Sequence, residues 1–203
     1  MIHPHTRVLS GDPAIGVGVF ATAPIPLGSI VVVRDLFDVG MSRETFFHLP
    51  EPQRAAMETY MYHDKCGNLV LSWDHARYMN HNCHPTTMMT DYGLEIAVRD
   101  IAAGEELTTE YGLLNIQEPY AICCGCVDCR ERLRLDDIDV YGDDWDARIR
   151  ESLARIPLVD QPLLPLLAGE PRVRLEDFLA GKAGYSSVRN LKWLAEPSCV
   201  TGG

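Results

Sequence analysis

Up to Tyr111 the apolar residues run in short blocks, and turn-forming residues separate the blocks. Arg7-Val8-Leu9, Gly16-Val17-Gly18-Val19-Phe20-Ala21 and Ile30-Val31-Val32-Val33 are rich in β-branched residues, and Gly11-Asp12-Pro13 and the Pro24 to Gly28 segment lie between them. That is the pattern of strands joined by hairpin turns. The period then changes. Ser42 stands where it can cap a short helix running to Phe47, and Pro50-Glu51-Pro52 opens a second over residues 53–62, with Ala56, Met57, Tyr60 and Met61 on its apolar side. Cys66-Gly67-Asn68 turns the chain into the strand Leu69-Val70-Leu71. Leu94-Glu95-Ile96-Ala97-Val98 reads as an alternating strand, and after the Ala103-Gly104 turn Glu106 to Thr109 begins another. Beyond Arg130 the spacing becomes helical over residues 143–156, 175–180 and 188–195, interrupted by a proline-rich stretch at 157–165 and by Gly181 and Gly184. The expectation is a mostly β protein whose helical C-terminal extension packs its apolar faces on the sheets.

The totals restrict this picture without changing it. A chain of 203 residues holds one generous domain or one domain with an appendage. Its 46% hydrophobic and 23% charged residues are ordinary for a globular fold. No stretch approaches the ~20 apolar residues of a membrane span, and the polar start Met1-Ile2-His3-Pro4-His5-Thr6-Arg7 has no signal-peptide core. A cytoplasmic protein is expected, or a nuclear one where the cell has a nucleus, with no membrane partner. The net charge of −11 opposes direct binding to a phosphate backbone and favours a basic protein or peptide.

Two stretches carry chemistry. Arg77-Tyr78-Met79-Asn80-His81-Asn82-Cys83-His84-Pro85 gathers a cation, amides, imidazoles, a thiol and a rigid turn, too polar for a core strand. Cys124-x-Cys126-x-x-Cys129 supplies three thiolates at a spacing that lets a turn wrap a tetrahedral Zn²⁺. Three ligands do not close such a site. The fourth candidates are Cys123, Cys83, Cys66, Cys199 or a histidine, and Cys123 is awkward because neighbouring side chains diverge. Cys66 has no other cysteine near it in the sequence and reads as structural. His81 and His84 beside Cys83 could also suggest a hydrolytic metal site, but no H-E-x-x-H or comparable carboxylate pattern accompanies them. Glu105 and Glu106 read as a solvated acidic edge.

Taken together, Gly16 to Ala21, Arg77 to Pro85, Gly104-Glu105-Glu106-Leu107-Thr108-Thr109-Glu110-Tyr111-Gly112 and the Cys124 to Cys129 cluster resemble, in order, the motifs of the SET-domain protein-lysine methyltransferases. The cysteine spacing is similar to that of SMYD-type members, without a MYND finger in these residues. The resemblance implies several small β-sheets with residues 77–85 and 106–111 threaded into a pseudoknot. It divides the chain into a SET domain at 1–116, a post-SET zinc segment at 117–133 and a helical extension at 134–203. It implies methyl transfer from S-adenosylmethionine to a lysine ε-amine. Tyr111 would be the catalytic channel tyrosine; Gly16, Val17, Gly18, Asn80, His81 and Tyr111 would contact the cofactor, with Arg77 supporting the pocket and Ile122 covering the adenine. Tyr60, Tyr62 and Thr109 would wall the lysine channel. Cys83 would join Cys124, Cys126 and Cys129 on structural zinc. This sequence departs from the family at Thr86, where asparagine is usual, at Thr109, where Phe or Tyr is usual, and at Ile122, which replaces an aromatic residue. The competing expectation is a SET-like module that binds a protein or the cofactor without turnover.

Overall fold

A computed structural model describes residues 1–10 and 16–194. The expected turn at Gly11-Asp12-Pro13 and the candidate ligand Cys199 lie outside the described residues. In chain order the elements are β1 (Thr6–Ser10), β2 (Val17–Ala21), β3 (Ile30–Val33), β4 (Val39–Met41), α1 (Arg43–His48), α2 (Glu51–Met57), β5 (Met61–His63) and β6 (Leu69–Leu71). They continue with β7 (Asn80–His81), β8 (Thr87–Met89), β9 (Leu94–Ala97), β10 (Glu106–Thr109), β11 (Tyr120–Ala121), β12 (Arg132–Leu133), α3 (Asp137–Leu153) and α4 (Gly169–Leu179). The strands form four small sheets, ordered β1-β2-β10-β7, β3-β9-β8, β4-β6-β5 and β11-β12. The mostly β architecture of several small sheets with a helical extension, expected from the sequence, is what the chain adopts.

Ser42 caps α1 as the sequence suggests, its hydroxyl accepting from the Thr45 N–H at 3.1 Å. The second helix does not reach Tyr62. It ends at Met57, passes through a 3₁₀ turn at Glu58–Tyr60, and Met61–His63 becomes a strand antiparallel to Leu69–Leu71. The helix buries none of its side chains, so little holds residues 61–63 helical against the ladder bonds of a neighbouring strand. At the other end of the chain α3 begins at Asp137, earlier than its apolar spacing suggested. Aspartates fill its first turn, which suits the positive end of the helix dipole, while Ile138, Gly142, Trp145, Ile149 and Leu153 form the buried stripe. Residues 188–191 make only a 3₁₀ turn.

Two cores result. Ile2, Val19, Ala21, Ile25, Val31, Ala97 and Leu107 pack between the sheet containing β2 and β10 and the sheet containing β3 and β9. On the far side of the latter, Ile30, Met88 and Ile96 meet Trp145, Ile149 and Leu153 of α3 and Leu175 of α4. β9 is therefore covered on both faces, and all four of its residues are buried. Gln161 fastens the extension to the same sheet by accepting from Ile30 N at 2.9 Å and donating to Gly28 O at 2.8 Å. Among the described residues no helix is long and apolar enough to cross a membrane.

Candidate active site

The site forms where distant parts of the chain share one sheet. β10 lies between β2, to which it is antiparallel, and β7, to which it is parallel, with Thr108 opposite Asn80 and Thr109 opposite His81. This puts the Asn80–His81 pair beside the glycine hairpin. The Asn80 side-chain amide donates to Val17 O at 3.0 Å and to Glu106 Oε1 at 2.7 Å. Gly18 leaves room for this arrangement, since a Cβ at that position would lie 2.3 Å from Glu106 Oε1 and 3.2 Å from Asn80 Nδ2 and would push the carboxylate aside. Glu106 thus differs from its reading as a solvated edge: it is half-buried and bound to Asn80. Glu105 is the outward one, paired with Arg99 at 2.5 Å.

His81 and Tyr111 hold each other. The backbone N–H of Tyr111 donates to His81 Nδ1 at 3.2 Å, so Nδ1 is unprotonated and Nε2, 3.5 Å from Cys83 Sγ, carries the ring proton. Burial, with the Arg130 charge adding to it, lowers the His81 pKa to about 4 and keeps the ring neutral. The Tyr111 hydroxyl donates to Met79 O at 2.9 Å, and burial raises its pKa above the ordinary phenol value.

On the other side of Tyr111 opens a cavity of about 650 Å³. Tyr60, Tyr62, Thr109 and Tyr111 all line it, so the side chains expected to wall a channel do share one space. Arg77 lines the same cavity rather than meeting the hairpin, its guanidinium bonded to Trp73 O at 3.3 Å and lying 5.0 Å from the Tyr78 ring. Gly16, Val17, Gly18, Asn80, His81 and Ile122 are not part of the cavity wall. Tyr111 touches both groups. The C-terminal extension, read from sequence as packing material, also contributes Leu167, Glu170 and Arg174 to the wall. Sequence reasoning passed over Glu95, which is 8% exposed and faces this cavity. A lone acid in an otherwise apolar strand was the available signal.

Cys83, Cys124, Cys126 and Cys129 bring their sulfurs within 4.8 Å of one another. Cys124 Sγ lies 3.1, 3.5 and 3.7 Å from those of Cys126, Cys129 and Cys83. A tetrahedral zinc thiolate site needs edges of about 3.8 Å, so the four sulfurs fit a metal with little movement. Backbone N–H groups of Arg130 and Glu131 point at Cys83 and Cys129 at 3.4 Å, as donors to thiolates would. Cys123 is exposed and outside the cluster. Ile122 supports it instead: its N–H bonds Glu131 O at 3.0 Å and its carbonyl lies 3.9 Å from Cys129 Sγ. Arg130 links the cluster to the rest, reaching Glu110 at 2.6 Å and Asp137 at 3.4 Å.

Residues 16–112 match the SET domain family. The chain's curated relatives include the histone-lysine N-methyltransferase ASHH3 of Arabidopsis thaliana, 34% identical over 65 residues, which are 29% of this chain and 18% of that protein. Another is the histone-lysine N-methyltransferase SET5 of Scheffersomyces stipitis, 32% identical over 94 residues, 39% of this chain and 19% of that one. The chain thus spans less than a fifth of the length of either relative. Among solved structures, KRYPTONITE in complex with mCHG DNA and SAH is 24% identical with a TM-score of 0.44, covering 64% of this chain and 29% of that one.

Proposed function

We propose that this chain is a protein-lysine N-methyltransferase that uses S-adenosylmethionine and acts on a basic protein or peptide. The observation that carries the reading is the position of Tyr111, shared between the Asn80–His81 and glycine-hairpin side and the aromatic-walled cavity. The hairpin backbone at Gly16–Gly18, Asn80 and His81 would hold the cofactor. The donor set fits its amino-acid end: Val17 O, Asn80 and the Glu106 carboxylate meet at one edge and offer acceptors to an ammonium group. When bound, S-adenosylmethionine supplies a methyl group activated by its sulfonium. Arg77 would act from the cavity wall, and Ile122 through the cysteine cluster that would hold structural zinc.

The chain's own residues prepare the amine. A lysine at pH 7 is almost entirely protonated, and making it neutral costs roughly 4–5 kcal/mol. A channel walled by Tyr60, Tyr62, Thr109 and Tyr111 strips water from the amine and favours the uncharged form. The Tyr111 hydroxyl proton is committed to Met79 O, which leaves its oxygen lone pairs as acceptors for N–H and weak C–H donors in the line of attack. The net charge of −11 suits a basic substrate.

Incubation with tritiated S-adenosylmethionine and core histones tests the reading. Label on lysine that disappears in Tyr111→Phe supports it. Cofactor binding with no transfer to any protein in a lysate would make the chain a non-catalytic binding module.

A further inference from the structure

Glu95 is an acid where the packing calls for an apolar residue. Its neighbours across the sheet are Val32 of β3 and Met89 of β8, and all three line the cavity in one row. Glu95 Oε2 accepts from Thr87 Oγ1 at 2.9 Å, and the Thr109 hydroxyl also faces the carboxylate. Among the described residues no cation lies within ion-pair distance of it. The cavity's own cations are committed elsewhere: Lys65 and Arg174 to Asp91, Arg34 to Asp64, and Arg77 to the carbonyl of Trp73. The buried hydroxyl of Thr109, which also lines the cavity, has no partner other than the Glu95 carboxylate. A carboxylate this deep without a counter-ion is costly, and desolvation holds its pKa above the usual carboxylate range.

We infer that Glu95 is the receptor for the substrate's terminal ammonium and the acceptor of its proton, a role that rests on the lysine-methylation reading. The carboxylate meets the incoming cation beside Met79, Met89, Tyr62 and Tyr111, which share the cavity wall with it. One N–H bond of the ammonium breaks and one O–H bond forms on Glu95. The electron pair of the broken bond stays on nitrogen, where it is available to attack, and the proton later returns to water through the cavity. Because the acid's pKa is raised and the amine's is lowered by the same burial, the two approach each other and the transfer becomes less uphill.

Two measurements separate this inference from the reading beneath it. The first is the turnover of Glu95→Gln on core histones with tritiated S-adenosylmethionine, alongside cofactor affinity by calorimetry and a thermal melt. A loss of about a hundredfold or more in kcat with cofactor affinity unchanged is expected; wild-type turnover in the variant overturns the inference and leaves methyl transfer intact. The second needs no turnover. Protein labelled with ¹³C-carboxyl glutamate is titrated with n-butylammonium chloride, the Glu95 resonance being assigned by its loss in Glu95→Gln or Glu95→Asp. A resonance that moves and saturates supports the cation site even if histones prove not to be substrates, and one that stays fixed sinks it.

Discussion

The hydroxyl of Tyr111 donates to the backbone carbonyl of Met79, 2.9 Å away and thirty-two residues earlier in the chain. This bond both orients the ring and closes the seam between β7 and β10. Tyr111→Phe should therefore have two separable effects. Loss of one hydrogen bond at a half-buried carbonyl costs about 1 kcal/mol, a fall in Tm of roughly 2–4 °C for a chain of this length. Methyl transfer should fall far more, because the acceptor oxygen in the channel is gone. Melting curves and labelled-transfer rates on the same preparations check this; a rate loss no larger than the stability loss predicts would assign the hydroxyl a structural role alone.

The cysteine cluster should retain one zinc per chain through purification in the absence of chelator. Cys126→Ser should abolish it, as read by metal analysis. Cys83 is contributed by the segment that follows Asn80–His81, so metal loss should also loosen the site. A loss of about 4 kcal/mol, well below the ten or more that zinc contributes to isolated small modules, would lower Tm by about 10 °C. If the variant keeps wild-type metal content and melting temperature, the cluster is not a zinc site.

Gly28 marks where the turn before β3 meets the end of α3. Its φ is +88°, and a Cβ there would lie 2.4 Å from Arg155 Cβ and 2.8 Å from Ser152 O. Gly28→Ala meets both strain in the backbone and a clash with another main chain, and should cost about 2–3 kcal/mol in urea unfolding. Gly104→Ala is the control: its φ of +84° is comparable but nothing lies within 4 Å of the added methyl. It should cost only about 1 kcal/mol.

His3 supplies a pH dependence. Burial first, and the neighbouring His5 second, lower its pKa to about 4. The unfolded chain binds a proton near 6.5 that the folded one refuses until about 4, so the contribution of His3 to stability is present above 6.5 and is lost as pH falls through that window. Urea midpoints measured from pH 7 to pH 4 should fall more steeply in the wild type than in His3→Gln. Parallel curves would place the titration elsewhere.

The sequence made some parts of this site plain and hid others for physical reasons. β3, β6 and β10 each begin two residues after a glycine, Gly28, Gly67 and Gly104, because there local preference and tertiary pairing agree. β5 was read as helix, since its partner β6 is the cause of its extended form and lies outside any local window. No spacing rule connects residue 83 with residues 124–129; only the family resemblance did, because the contact is made by the fold. The alternation of residues 94–98 gives no sign that Glu95 faces a cavity. Alternation presumes one wet face, and β9 has none, with helices on one side and the cavity on the other. Glu106 was hidden in the same way, by the passage of Asn80 and Gly18 across its carboxylate.

Thr109 should govern how many methyl groups are added. It is 3% exposed and lines the cavity with Tyr111. A threonine leaves space beside the amine, and each added methyl must occupy space that water or another side chain would otherwise fill. Thr109→Phe fills it. The wild type should therefore carry a susceptible lysine beyond the monomethyl form, and Thr109→Phe should stop at monomethyl-lysine with the first transfer largely preserved. Intact-mass spectrometry of the substrate over time reads both quantities from one reaction. If the two enzymes give the same distribution of products at equal conversion, the space beside Thr109 is not where the methylated amine sits, and the amine must approach Tyr111 from the side of Met79.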